Sequence, residues 1–270
     1  MWKDVARSGR DIANGTQSEL GILNARKSKM VIALLLTFAS GIVDITGFLG
    51  VFHMFTAHLT GITVHLGNSL IEHDWEQARA AIVIVLTYAV GSLFGRVLME
   101  IAARRKFPRV ASITLTIEIV LLAWIAVPAT SDTLSPYTKI AFLAAAMGVQ
   151  TATLTRVGPL TVHTTFVTGM INKTMQLVSH ILVGTYDIAH AAAGAARDAL
   201  RAERNREAQM ALFLACVWSF YVGGAAFGTW TFGRWGMRGI FAAIAILVFA
   251  LSIDAVWPLS IEEEKEQSER

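Results

Sequence analysis

Long stretches without a single charge constrain this chain more than any other feature. Met30–Val43, Ala80–Gly95, Ala141–Thr155 and Gln209–Gly233 contain no Asp, Glu, Lys or Arg. A helix rises about 1.5 Å per residue, so roughly 20 apolar residues cross the ~30 Å hydrocarbon layer of a bilayer. Six runs read as full spans: about 30–52, 80–103, 110–128, 139–156, 209–232 and 239–258. Composition agrees. Hydrophobic residues make up 54% of the 270 and charged ones 16%, against about 25% charged in a soluble domain. A soluble α/β core is excluded, because its buried strands would be shorter and better punctuated.

The single cysteine, Cys216, lies inside an apolar run, so no disulfide framework forms within one chain. The net charge of +3 comes from basic residues between the spans. Membrane topology accounts for them, and no nucleic-acid partner is expected. Residues 1–29 read as a cytoplasmic tail, 30–258 as one transmembrane domain and 259–270 as a second cytoplasmic tail.

Two further segments, about 54–71 and 162–185, are more polar. Cytoplasmic connections carry an excess of Lys and Arg. If the polar segments do not cross, the outer connections hold only Arg79, Lys139, Arg234 and Arg238, and both termini lie inside. If both cross, the cluster Arg104, Arg105, Lys106 and Arg109 faces outside. The expected architecture is therefore an all-α membrane protein with about six spans and two re-entrant or half-crossing polar helices. Eight spans is the alternative.

The two halves repeat. Tyr88-Ala89-Val90-Gly91-Ser92-Leu93-Phe94-Gly95 matches Tyr221-Val222-Gly223-Gly224-Ala225-Ala226-Phe227-Gly228, with Tyr, Gly, Phe and Gly in register. Each carries a G-x-x-x-G, which lets helix backbones approach closely. Thr56, Thr60 and Gly61 align with Thr164, Thr168 and Gly169, and Asn68 with Gln176. Gly41-Ile42-Val43-Asp44 aligns with Gly148-Val149-Gln150-Thr151. The unit is span, polar helix, span, span: repeat one covers 30–128 and repeat two 139–258. A cytoplasmic loop, 186–208, is inserted in the second, Ala- and Arg-rich and expected to form a surface helix. An odd number of crossings per unit gives inverted repeats, as in many channels and secondary transporters.

In the second polar helix Thr161, Thr165, Thr168, Asn172, Gln176 and Ser179 recur at helical spacing and form one stripe. Lipid disfavours such a stripe, so it is expected to face the protein interior, either lining a site or bonding neighbouring helices. Lys173 interrupts this helix and either snorkels to the interface or adds charge to a cavity. In the first polar helix His58 and His65 share a face, with His53 and His73 flanking. The spacing is poor for a metal, whose ligands usually stand three or four apart. Hydrogen-bonded histidines without a metal are expected. Asp44, Glu118 and Asp254 fall within spans, where an ionised carboxylate is costly unless paired, protonated or wetted. Asp44, read as mid-span, is the candidate for cation or proton coupling, or else an anchor for Thr or backbone groups. Asp254 reads as structural, and Arg96 with Glu100 as an i,i+4 ion pair. No phosphate-binding loop, H-E-x-x-H or nucleophile elbow is present, so an enzyme is not expected.

The chain resembles the YoaK family of bacterial inner-membrane proteins, a family of unknown function. The resemblance rests on Ser40-Gly41-Ile42-Val43-Asp44-Ile45-Thr46-Gly47-Phe48, Thr60-Gly61-Ile62-Thr63-Val64, Leu66-Gly67, Met147-Gly148-Val149-Gln150-Thr151-Ala152 and Thr164-Thr165-Phe166-Val167-Thr168-Gly169. It covers about 30–258. The family's first motif reads Thr-Gly-Asn, and here Ile62 replaces the Asn, so a ligand contact made by that Asn is missing or different. The resemblance implies about six spans in a bacterial inner membrane and supplies no substrate.

These readings lead to a transporter or channel for a small solute or ion, embedded in a lipid bilayer and open to assembly as a homo-oligomer, with no cofactor. Its site is expected from Asp44, Thr60, Gly61, Gln150, Thr165, Thr168, Gly169, Asn172 and Gln176. The alternatives are an assembly protein without transport, docking a partner through 186–208, and a membrane protein holding a metal or quinone through its histidines.

Overall fold

The computed structural model describes residues 27–105, 107, 109–127, 133–153, 156–157, 160–161, 167–191 and 193–256. Almost all of these are helical: α1 (Lys27–Gly50), α2 (Leu59–Ile71), α3 (Trp75–Arg104), α4 (Val110–Ala126), α5 (Pro136–Thr153), α6 (Val167–His190), α7 (Ala195–Trp235) and α8 (Ile240–Val256). A two-residue antiparallel ladder pairs β1 (Arg156–Val157) with β2 (Leu160–Thr161). Three stretches are long and apolar enough to cross a membrane, Lys27–Gly50, Trp75–Arg104 and Ala195–Val256, and Ala111–Ala126 is a shorter apolar helix.

Local sequence sets the helix limits. Asp74 caps α3 by accepting from Gln77 N at 3.1 Å, with Glu76 in the first turn. Gly194 (φ 142°) precedes α7, and Gly236 (φ 57°) follows it into a 3-10 turn, Gly236–Gly239, that leads to α8.

The inward helices are α1 and α5. Ile32, Leu36, Ala39 and Ile42 of α1 and Ile140, Leu143, Ala144 and Met147 of α5 are fully buried. Gln150 pins the two together: its Nε2 donates to Leu36 O at 2.7 Å and its Oε1 accepts from Ser40 Oγ at 3.1 Å. Each is then gripped by a helix of the other repeat. A Cβ at Gly41 would strike the Tyr221 carbonyl and Ala225 N on α7; one at Gly148 would strike the Tyr88 carbonyl and Ser92 N on α3. Tyr88 and Ser92 are the residues that align with Tyr221 and Ala225, so the sequence repeat is also a repeat of packing. Gly224 and Gly91 complete the two seams, against Phe38 and Ala145.

The helix ends show which way the chain runs. The Phe52 ring lies 4.8 Å from that of Tyr137, Arg79 lies 5.7 Å from the Tyr137 ring, and Tyr137 OH donates to Glu76 O at 3.4 Å. Gly50 lies against Phe232 and Met237. The ends of α1 and α7 and the starts of α3 and α5 therefore share one face of the bundle. Arg109 Nη2 donates to Ala255 O at 3.3 Å, placing the start of α4 and the end of α8 at the opposite face. Residues 51–74 thus begin and finish at the first face. The connection from α5 to α7 begins and finishes at the second.

Three expectations are corrected. The 186–208 segment is not a separate surface helix: it is the end of α6 and the beginning of α7, which run as one hairpin with His180 Nδ1 2.9 Å from Glu207 Oε1. At 41 residues α7 is about 60 Å long, about twice the ~30 Å hydrocarbon thickness of a bilayer, and its first part is charged. Glu100 pairs with Arg104, at 2.8 Å, and not with Arg96. The polar stripe of α6 does not face inward. Thr168, Asn172, Gln176 and Ser179 are exposed, and the helix buries Met170, Leu177 and Ile188 instead.

Candidate functional site

The most heavily bonded side chain is Asp44 on α1, which is 1% exposed. It lies six residues before Gly50, the last residue of α1, or about 9 Å along the axis, nearer the first face than a mid-span position. Oδ1 accepts from Thr56 N at 2.7 Å, Thr56 Oγ1 at 2.8 Å and Ala57 N at 3.0 Å. Oδ2 accepts from Tyr221 OH at 2.6 Å and lies 2.9 Å from His58 Nδ1. A carboxylate offers about four lone-pair sites, so five donors saturate it.

These donors come from the connection 51–58 and from α7. To reach Asp44 the chain must leave α1 and turn back along it. Phe52 (φ 56°) and His53 (φ 54°) make that turn in the left-handed region. Each costs roughly 1–2 kcal/mol for a residue with a Cβ. Asp44 offsets the strain by receiving the loop's amides, and the Phe52–Tyr137 contact holds the bulkier residue in place. The start of α2 is thereby drawn below the surface, and the helix returns from that depth to the first face. His58 lies outside the spanning helices. Its hydrogen bond to the Asp44 carboxylate holds its pKa above the ordinary imidazole value, although partial burial opposes this.

The second repeat places a hydroxyl at the matching position. Thr151 stands where Asp44 does, and its hydroxyl lies 2.8 Å from Tyr88 OH, the counterpart of Tyr221. The tyrosines are conserved between repeats as partners and the acid is not.

The eight expected site residues among the described ones do not gather. Asp44 and Gln150 are buried, but protein groups fill their bonding capacity. Thr60 and Gly61 are exposed on α2, which packs along α3, with nothing within 4 Å of a Cβ at Gly61. Thr168, Asn172 and Gln176 are exposed and Gly169 partly so on α6, which packs along α7. Thr165 lies outside the described residues, as do the two tails apart from the first residues of α1. Lys173 is exposed, with Nζ 3.4 Å from Gln176 Oε1. Of the histidines expected on one face, His58 is held by Asp44 and His65 Nδ1 lies 3.1 Å from Ser69 Oγ. No group of three His, Cys, Asp or Glu suited to a metal occurs among the described residues. Sequence reasoning missed Tyr221 as Asp44's partner. Its signal was the repeat, which places a Tyr one turn before the Gly in both halves.

Asp254 is buried at the second face and accepts from Ser112 Oγ at 2.5 Å, joining α8 to α4. The model of a family described as protein of unknown function (DUF1275) matches residues 32–253. No curated protein and no solved structure matches.

Proposed function

The chain belongs to this DUF1275 family of proteins of unknown function, and from its geometry we propose that it is an integral membrane transporter or channel for a small solute or ion. One observation carries the reading: in each repeat the segment that holds a polar helix begins and finishes at the same face, residues 51–74 at the first and the connection from α5 to α7 at the second, opposite faces of a pseudo-symmetric bundle. Helices that enter part-way are tolerated at membrane depth where protein or water surrounds them, and inverted repeats use them to build solute sites. On this reading α1, α3, α4, α5, α7 and α8 cross and the other two do not. Face two carries Arg104, Arg105, Arg109, Arg197, Arg201 and Arg204, the basic excess of a cytoplasmic side. That orientation, in a bacterial inner membrane, puts both termini inside.

Asp44 and Gln150 then serve as pins, and the ligand groups are the exposed Thr60, Gly61, Thr168, Gly169, Asn172 and Gln176, with Thr165. Such rows need cover in hydrocarbon, which a second copy of the chain supplies in a homo-oligomer. Purified protein in vesicles, suspended in iso-osmotic glycerol, urea, amino acids or potassium chloride, should swell faster than protein-free vesicles in at least one medium. Thr168→Val with Asn172→Val should remove that permeability and leave the fold intact.

The second reading is an assembly protein without transport. It is favoured by the outward polar row of α6 and by the saturation of Asp44. No permeant solute, together with loss of the oligomer in the same double variant, selects it over the first.

A further inference from the structure

Glu118 has the opposite surroundings to Asp44. It is completely buried on α4, in line with Ala111, Thr114, Leu115, Leu122 and Ile125. Both carboxyl oxygens lack a hydrogen-bond partner among the described residues. The Ser112–Asp254 and Arg109–Ala255 contacts set α4 antiparallel to α8. Glu118, six residues beyond Ser112, is therefore about 9 Å deeper and level with the Leu247 region of α8. The inward faces of α8 and α5 present Ala243, Leu247, Ala250, Leu143, Ala144 and Met147.

Charges on the packed elements lie elsewhere. On α5 the titratable groups are Tyr137 and Lys139, in its first turn, and on the 3-10 turn Arg238. On α8 the one acid is Asp254, bonded to Ser112. On α3 Tyr88 is bonded to Thr151, Glu76 stands in the first turn, Arg79 lies at Tyr137, and Arg96, Glu100 and Arg104 stand in its last turns. Among the described residues no charged group is hydrogen-bonded or ion-paired to Glu118.

An ionised carboxylate in such a place is far costlier than a neutral one. A metal cation needs several oxygen ligands, and the nearest hydroxyl on α4's buried face, Thr114 Oγ1, already donates to Ala111 O at 3.0 Å. A proton is the one cation that needs no further ligands. We propose that Glu118 is a proton-binding site in the membrane core, a carboxylic acid that holds its proton inside the bundle. The chain supplies five donors where it stabilises a carboxylate, at Asp44, and none here. Pairs of acids in contrasting environments divide ionic and protonic roles. Use of this proton to drive transport rests on the function proposed above; its presence does not.

The test is infrared spectroscopy of the full chain in bilayers at neutral pH, with glutamate labelled with carbon-13 at the carboxyl. A carboxylic-acid carbonyl band should appear, shift with the label and vanish in Glu118→Gln. Among the described residues Glu118 is the one fully buried glutamate, so the label alone decides should the variant misfold. A spectrum without a labelled carboxylic-acid band, or a band unchanged in a folded Glu118→Gln, overturns the proposal. Vesicle swelling reads the transport function separately, so either can fail alone.

Discussion

Replacing Asp44 by Ala tests whether the carboxylate is a structural pin or a ligand group. The substitution strands two backbone amides, two hydroxyls and an imidazole. The hydroxyls of Thr56 and Tyr221 can rotate to other acceptors, and half-buried His58 can reach water. The amides of Thr56 and Ala57 cannot move without unfolding the turn. A buried donor left unpaired costs about 1–3 kcal/mol, and the lost charged pairing brings the total to about 3–5 kcal/mol. Two strained residues, Phe52 and His53, then lose what holds them. Asp44→Asn keeps an oxygen for the three donors on Oδ1 and loses the charge assistance, about 1–2 kcal/mol; its NH2 replaces the Oδ2 acceptor, so the Tyr221 hydroxyl must turn to accept and His58 must present its unprotonated nitrogen. Hydrogen–deuterium exchange across 51–58 reads this locally. The amides of Thr56 and Ala57 should exchange fast in Asp44→Ala and at an intermediate rate in Asp44→Asn, and the melting temperature should fall in the same order. Amides as slow in Asp44→Ala as in the unmodified protein, at equal stability, would refute the pin and return Asp44 to the ligand groups.

The packing seams make a paired prediction. Gly224→Ala and Gly148→Ala force a Cβ against backbone and should each cost at least the 1–3 kcal/mol of an overpacked core. Gly61→Ala, with open space around it, should be neutral or stabilising by roughly 0.5–1 kcal/mol; thermal unfolding in detergent separates the two classes. His58 gives a pH dependence. Its folded pKa is raised, so the contribution of its pair with Asp44 is complete below the unfolded imidazole value near 6.5 and is lost as pH rises through the folded value. Protection of 51–58, taken relative to the intrinsic base-catalysed exchange rate, should therefore fall on the alkaline side, and that fall should disappear in Asp44→Asn. For topology, with Cys216 replaced by Ser, single cysteines at His73 and at Ala193 should react with an impermeant maleimide from opposite sides of sealed vesicles. Labelling of both from one side refutes the six-crossing reading.

What could be read in advance divides along physical lines. That the chain is built of apolar helices follows from charge-free length, but their limits do not: α7 begins at Ala195, well before its charge-free run. The pseudo-symmetric seams followed from Tyr88, Gly91 and Gly95 recurring as Tyr221, Gly224 and Gly228, because a glycine that packs against backbone leaves a fixed spacing. The direction of the polar stripe on α6 did not follow. Periodicity says that Thr168, Asn172 and Gln176 share a face, but which face turns inward depends on its neighbour, and α7 takes Met170 and Leu177. The partner of Asp44 was hidden for a similar reason: Tyr221 lies 177 residues away, and no local pattern reports on a contact of that range.

The departure from symmetry between Asp44 and Thr151 has a mechanical consequence. Both positions meet a tyrosine of the opposite repeat, and both stand just before a polar helix. A hydroxyl offers one donor and two lone pairs, and Thr151 already donates to Met147 O at 2.9 Å or shares with Tyr88. It cannot collect five donors as Asp44 does, and its hydrogen bonds lack charge assistance. The polar helix at the first face is therefore clamped at its start more strongly than a Thr at that position could clamp its counterpart. Exchanging the two chemistries tests whether the fold uses that difference. Thr151→Asp introduces a charge at a half-buried position beside Tyr88. It should destabilise the protein, whereas a truly symmetric clamp would accept it. Stability equal to that of the unmodified protein would show that the second repeat carries the same donors, and that the asymmetry lies in the side chain alone.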